Sequence, residues 1–96
     1  MEKTKIVNSV KIISGSLKGR VVKFDSTDSL RPTLGRIRET LFNWLFDHTL
    51  SANCLDLFAG SGSFGFEAIS RGARHCTFVE QSKKNVDNIQ QNINTF

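Results

Sequence analysis

The stretch Cys54-Leu55-Asp56-Leu57-Phe58-Ala59-Gly60-Ser61-Gly62-Ser63-Phe64-Gly65 carries the strongest structural signal in this chain. Its first five residues make a compact apolar strand interrupted by one acid. Gly60, Gly62 and Gly65 then fit GxGxxG, directly behind the strand and at a helix start. The helix is expected from about Phe64 to Arg71, closed by Gly72 as a left-handed cap. A second apolar run, Cys76-Thr77-Phe78-Val79, ends in Glu80, and Ser82 is placed to cap a last helix. On that helix Val86, Ile89, Ile93 and Phe96 share one face. Strand, glycine turn, helix, strand, helix is the opening of a parallel α/β sheet with right-handed crossovers.

Upstream of this unit the chain changes character. Val10–Ile13 and Arg20–Phe24 are β-prone runs around the Gly-containing segment 14–19, which predicts a hairpin. Asp25 to Ser29 reads as a polar connector. Arg31-Pro32-Thr33 marks a helix start, and the apolar residues Ile37, Leu41, Trp44 and Leu45 predict one helix to about His48. Its solvent side would carry Arg36, Arg38, Glu39 and Asn43, with Phe42 and Phe46 widening the apolar stripe. The aromatic residues are read as packing groups rather than base-stacking groups. Two parts follow: a basic hairpin extension and linker over 1–30, and an α/β domain over 31–96.

Composition narrows the function classes. A hydrophobic fraction of 39% with eight Phe excludes a disordered chain. No apolar run approaches the ~20 residues of a membrane span, and no secretory segment is visible, so the expected location is the cytosol. Cys54 and Cys76 form no CxxC and are expected to be reduced, buried strand residues. With His48 and His75 they cannot supply a well-spaced ligand set, so no metal is expected. The net charge of +4 is uneven: residues 1–40 hold nine Lys/Arg against four acids, and residues 41–96 hold four against five. A basic front on a near-neutral body points to a polyanion, nucleic acid first, through Lys11, Lys18, Arg20, Lys23, Arg31, Arg36 and Arg38.

The glycine loop serves close approach of a ligand to backbone amides at a helix start. A dinucleotide would put pyrophosphate there, with its ribose on Glu80. Asp56, four residues before Gly60, argues against it by adding negative charge beside that pyrophosphate. More than fifty residues also precede the first strand, where a dinucleotide domain begins with it. S-adenosylmethionine suits the acids better. It carries an ammonium and a sulfonium and no phosphate, so an acid beside the loop is favourable. Glu80 can accept from the ribose hydroxyls, in charge-assisted bonds of ~1.5–3 kcal/mol each.

Three blocks then resemble one family, the bacterial methyltransferases that modify the exocyclic N2 of a guanine in small-subunit (16S) ribosomal RNA. They are Lys11-Ile12-Ile13-Ser14-Gly15-Ser16-Leu17-Lys18-Gly19-Arg20, the segment from Leu30 through Arg31-Pro32-Thr33 to Leu45, and Leu55 to Gly65 continued by Glu67-Ala68 and Ser70-Arg71-Gly72-Ala73. The resemblance implies a class I (Rossmann-like) methyltransferase fold with S-adenosylmethionine as cofactor. The implied substrate is ribosomal RNA in an assembled or assembling small subunit. By matching positions, Asp56 and the loop Phe58, Ala59, Gly60, Ser61, Gly62 and Gly65 would hold the methionine and adenosine parts. Glu80, with Gln81 beside it, would hold the ribose, and Arg31 to Glu39 would border the donor and the incoming base.

Two departures from that pattern matter. Gly35 stands where the family usually has an acid, which costs up to ~1 kcal/mol of helix propensity. The chain also has a single proline, Pro32, so the family's Asn/Asp-Pro-Pro-Tyr/Phe acceptor tetrapeptide is absent. No catalytic residue is therefore assigned. The expectation is the front half of the fold, with a donor side and no acceptor side, inactive alone and prone to self-association. Two other classes remain open: a non-catalytic RNA-binding or cofactor-binding remnant, and a dinucleotide-binding fragment of an oxidoreductase.

Overall fold

The computed structural model describes residues 6–26, 32–57 and 59–96. In chain order its elements are β1 (Ile6–Lys11), β2 (Val21–Ser26), α1 (Pro32–Trp44), α2 (Phe46–Thr49), β3 (Asn53–Asp56), α3 (Ser63–Ser70), β4 (His75–Phe78) and α4 (Lys83–Thr95). The connector 27–30, Arg31 and Phe58 lie outside the described residues.

From residue 53 onward the expected order is found. β3 and β4 pair in parallel, Cys54 opposite Cys76 and Asp56 opposite Phe78, with α3 as the crossover. Gly72 follows α3 at φ +100°, the left-handed stop read from the sequence. The Ser82 hydroxyl accepts from the Asn85 amide at 3.4 Å and caps α4. Cys54 and Cys76 are free and half-buried. Burial, the neighbouring Cys54 and Asp56 push the Cys76 thiol up to about 11, so it is no ready nucleophile.

The hairpin is displaced from its expected bounds. β1 begins at Ile6 and stops at Lys11, and β2 runs on to Ser26, into the residues read as a connector. The ladder pairs backbone, so polar Asn8, Asp25 and Ser26 take part as readily as valine. Ile13 leaves the ladder because its amide donates to Glu67 instead, at 2.9 Å. The hairpin lies over the α/β unit. Ile12 and Val22 from it meet Ala59, Phe66 and Ile89 in one buried cluster, with Leu17, Phe78 and Phe96 packed at its margin. Enclosed between hairpin and sheet, α3 buries Gly65, Phe66, Glu67, Ala68 and Ser70, nearly its whole circumference.

The single helix expected to His48 breaks at Leu45. Three donors converge on the Leu45 carbonyl: the amides of His48 and Thr49 and the Thr49 hydroxyl, at 2.8 to 3.0 Å. A hydroxyl bonding back four residues bends a helix in this way. The buried face of α1 also differs from the one expected. Arg38 and Phe42, four apart, face inward, while Trp44 is 77% exposed and Ile37 and Leu45 also reach solvent. Phe42 stacks on Phe64 of α3 with ring centroids 6.4 Å apart. The face of α4 is corrected likewise. Ile89 is buried between Asn88 and Asn92, and Val86 and Ile93 stay exposed. The Asn92 amide group explains this: its Nδ2 donates to the Lys23 carbonyl at 2.7 Å, and its Oδ1 accepts from the Lys23 amide at 3.2 Å.

Among the described residues no helix is long and apolar enough to cross a membrane, and no cluster of three His, Cys, Asp or Glu is placed to hold a metal.

Candidate cofactor-binding site

β3 and β4 end side by side, and that juxtaposition builds the site. Past Asp56 the chains remain stitched for one more step. The Val79 amide donates to the Asp56 carbonyl at 2.8 Å and the Ala59 amide to the Val79 carbonyl at 3.0 Å. The loop then tightens with a bond from the Gly62 amide to the Ala59 carbonyl at 2.7 Å. Gly60 and Gly62 turn it in left-handed conformations, φ +56° and +85°, which a side chain resists. Gly65 serves another need: a Cβ there would strike the Phe78 ring and the Cys76 sulfur, so only glycine lets α3 lie this close to β4.

The two acids flank the loop and act differently. Asp56 accepts from the Gly65 amide at 3.3 Å through Oδ2. Burial raises its pKa above the ordinary carboxylate value; the Gly65 bond opposes this, and nearby Glu80 adds to it. Glu80 Oε1 accepts from the Gly60 amide at 2.9 Å, and Oε2 from the Ser82 amide at 2.7 Å and the Asn85 side chain at 3.3 Å. The Ser82 and Gly60 bonds hold the Glu80 carboxyl below its usual range, so it stays ionised. Each of its oxygens has capacity beyond these bonds, Oε1 most of all.

Ser61 is half-buried, its hydroxyl accepting from the Ser63 amide at 3.3 Å, and Gln81 is exposed beside Glu80. The space where a Gly60 side chain would stand is open. Asp56, Ala59 to Gly62, Gly65, Glu80 and Gln81 are thus brought together, while Phe58 is outside the description.

The basic residues divide. Lys11, Lys18, Lys23 and Arg36 are exposed. Arg20 is exposed too, but its Nη2 donates to the Thr95 carbonyl at 3.1 Å and its guanidinium lies 5.3 Å from the Phe96 ring centroid. Arg38 is a correction to the expected nucleic-acid face. It is 5% exposed, its Nη2 donates to the Lys11 carbonyl at 2.8 Å, and its Nε lies 3.6 Å from Glu67 Oε1. Burial lowers its pKa, Glu67 opposes that, and Arg71 reinforces it. Glu67 and Ser70, which stand in a resembling block without a role, and Asn92 are the residues to which charge and motif assign no function. A charge alone in an apolar helix, four residues before Arg71, was the available signal for Glu67.

Comparison with known proteins gives the family. The family model described as conserved hypothetical protein 95 matches residues 10–96. "Ribosomal RNA small subunit methyltransferase D" of Buchnera aphidicola (from Acyrthosiphon pisum) is 49% identical over 86 residues, 90% of this chain and 45% of that protein. The protein of the same name from Haemophilus influenzae is 46% identical over the same shares. A solved Escherichia coli structure described as a methyltransferase, yhhF, superposes with a TM-score of 0.81 at 44% identity, over 92% of this chain and 48% of that one. The chain therefore spans a little under half the length of these relatives. It belongs to the conserved hypothetical protein 95 family, among methyltransferases, and has the α/β fold of the front half of a Rossmann-like methyltransferase.

Proposed function

We propose that this chain binds S-adenosylmethionine for methyl transfer to the exocyclic N2 of a guanine in small-subunit ribosomal RNA. One observation carries the cofactor assignment. Two carboxylates, on Asp56 and Glu80, flank a glycine loop in which the Gly60 amide is already turned onto Glu80. A pyrophosphate would meet two negative charges here, whereas an ammonium and a sulfonium meet compensating ones. Asp56, held partly out of water, gains most from a nearby cation. Glu80, kept ionised by the Gly60 and Ser82 amides, is ready to accept from ribose hydroxyls. When bound, the cofactor supplies an electrophilic methyl group. The residues of this chain would bind and orient it.

The RNA assignment rests on the relatives named as ribosomal RNA methyltransferases and on the exposed Lys11, Lys18, Lys23 and Arg36. On this reading residues 1–30 form the RNA-side extension and residues 31–96 the donor side. The full activity would run in the cytosol, on RNA within the small subunit. The 96 residues contain one proline and so lack an Asn/Asp-Pro-Pro-Tyr/Phe acceptor motif. The purified chain is therefore expected to bind the donor without transferring methyl.

Calorimetric titration with S-adenosylmethionine tests this, repeated on Asp56→Ala and with NAD in place of the donor. Saturable binding that weakens at least about tenfold in the variant, equivalent to ~1.4 kcal/mol, supports the proposal. Tighter binding of NAD than of S-adenosylmethionine would overturn it. Salt-sensitive RNA binding by a chain blind to the donor would instead mark an RNA-binding module.

A further inference from the structure

One buried carboxylate makes its hydrogen bonds to the hairpin and to Arg71 rather than to the glycine loop. Glu67 sits in the middle of apolar α3 and is 0% exposed. A carboxylate taken out of water needs charge and hydrogen bonds in return. Glu67 draws these from three separate parts of the chain. Its Oε1 accepts from the Ile13 amide at 2.9 Å, and its Oε2 from the Ser14 amide at 3.1 Å and from Arg71 Nε at 3.0 Å. Arg38 of α1 completes the ring, with Nε 3.6 Å from Oε1 and Nη2 on the Lys11 carbonyl. One turn later Ser70 repeats the grip. Its hydroxyl accepts from the Leu17 amide at 2.9 Å and donates to the Ser14 carbonyl, while its own carbonyl accepts from the Ser16 amide at 2.8 Å.

The hairpin turn is thus held almost entirely through its backbone, by two side chains of the helix whose first residues follow the glycine loop. α3 has a loop of two left-handed glycines at one end and the hairpin at the other, seven residues apart. A short helix is stiff at this length, so fixing the hairpin to its far half fixes it relative to the loop.

We infer that Glu67 is a positioning residue. With Arg38 and Arg71 it locks the basic hairpin and α1 to α3, so that RNA gripped by Lys11, Lys18 and Lys23 is held in register with a donor at the glycine loop. The register claim rests on the donor and RNA reading above, whereas the lock itself stands on geometry alone.

Amide hydrogen exchange on the unmodified chain is the first test. Ile13 and Ser14 lie in a turn, yet should exchange within about tenfold of the α3 interior. Exchange at the rate of an open loop would overturn the lock. Glu67→Gln, almost the same shape, removes the charge shared by two arginines. It should speed exchange at Ile13 and Ser14 by about tenfold or more. Donor affinity should stay within about twofold, because the loop keeps its own bonds to Glu80 and Asp56. Affinity for transcribed small-subunit ribosomal RNA should fall about three- to tenfold. This direction is diagnostic, since the variant gains one positive charge, which by itself tightens RNA binding. Unchanged or tighter RNA binding by a folded Glu67→Gln chain would overturn the register claim. Should that variant fail to fold, Ser70→Ala carries the test. It frees the same turn without burying a charge, and the same directions are expected at smaller size. A chain that binds neither donor nor RNA would sink the functional reading, and the exchange data would still decide the lock.

Discussion

Asp56 and Glu80 sit at neighbouring strand ends with pKa values displaced in opposite directions, and the difference makes each testable by itself. Burial raises Asp56, so its ionised form costs stability above the folded pKa, and that cost disappears as pH falls through it. Asp56→Asn keeps an acceptor for the Gly65 amide and removes the charge. It should melt higher than the parent at pH 7, with the gap closing in the acid range, while donor affinity drops at least about tenfold. Glu80 is the reverse case. Its pKa is lowered from 4.5, so its contribution is complete above pH 4.5 and is lost as pH falls through the lower folded value. Glu80→Gln should therefore melt lower than the parent at neutral pH and coincide with it in strong acid. Equal melting at both ends of that range would count against the bonds to Gly60 and Ser82. Both acids are legible in the sequence because one interrupts the apolar run before the glycine loop and the other ends the next apolar run. Arg38 was not, because a charge count treats every arginine as solvated, and nothing local to residue 38 announces a carboxylate 29 positions later.

α1 shows where pattern reading reaches its limit at the scale of an element. Its existence followed from Arg31-Pro32-Thr33 and the spacing of its apolar residues, but its orientation did not. Periodicity assigns the inner face to Ile37, Leu41, Trp44 and Leu45, whereas α3 offers a buried carboxylate and a phenyl ring, which draw in Arg38 and Phe42 instead. Denaturant melts separate the two faces. Phe42→Ala should cost about 3–5 kcal/mol as a buried aromatic truncation. Trp44→Ala should stay within about 0.5 kcal/mol, as an exposed substitution does. The opposite ranking would restore the expected face. Gly35 lies inside the same helix with open space where a Cβ would stand. Gly35→Ala should stabilise by about 0.5–1 kcal/mol. The strand-loop-helix unit is more legible than α1, since Gly65, the two apolar runs and the Gly72 stop all constrain it at once.

Across the whole molecule the two sides of the β3–β4 pair are unequal. α3 covers the side of Cys76 and Phe78, while Leu55 and Leu57 on the other are 60% and 55% exposed, with Val79 beside them. Parallel sheets are stable with cover on both faces, so this side should bind apolar dyes and drive self-association. Sedimentation should show mass rising with concentration. Leu55→Lys should return the chain to a monomer with its melting changed by less than about 0.5 kcal/mol. A parent chain that stays monomeric at high concentration would refute this. The hairpin raises a different matter, that of timing. Its second strand is gripped by Asn92, 69 positions later, and Arg20 reaches Thr95, 75 positions later. During synthesis on a ribosome the hairpin precedes Asn92 and Thr95 by these 69 and 75 positions, so until they are made it waits without this clasp. Chaperone contact and proteolytic nicking of the nascent chain should concentrate on this waiting hairpin. In refolding, the Lys23 amide should gain protection in the same kinetic phase as α4, and earlier protection would show that the hairpin closes unaided.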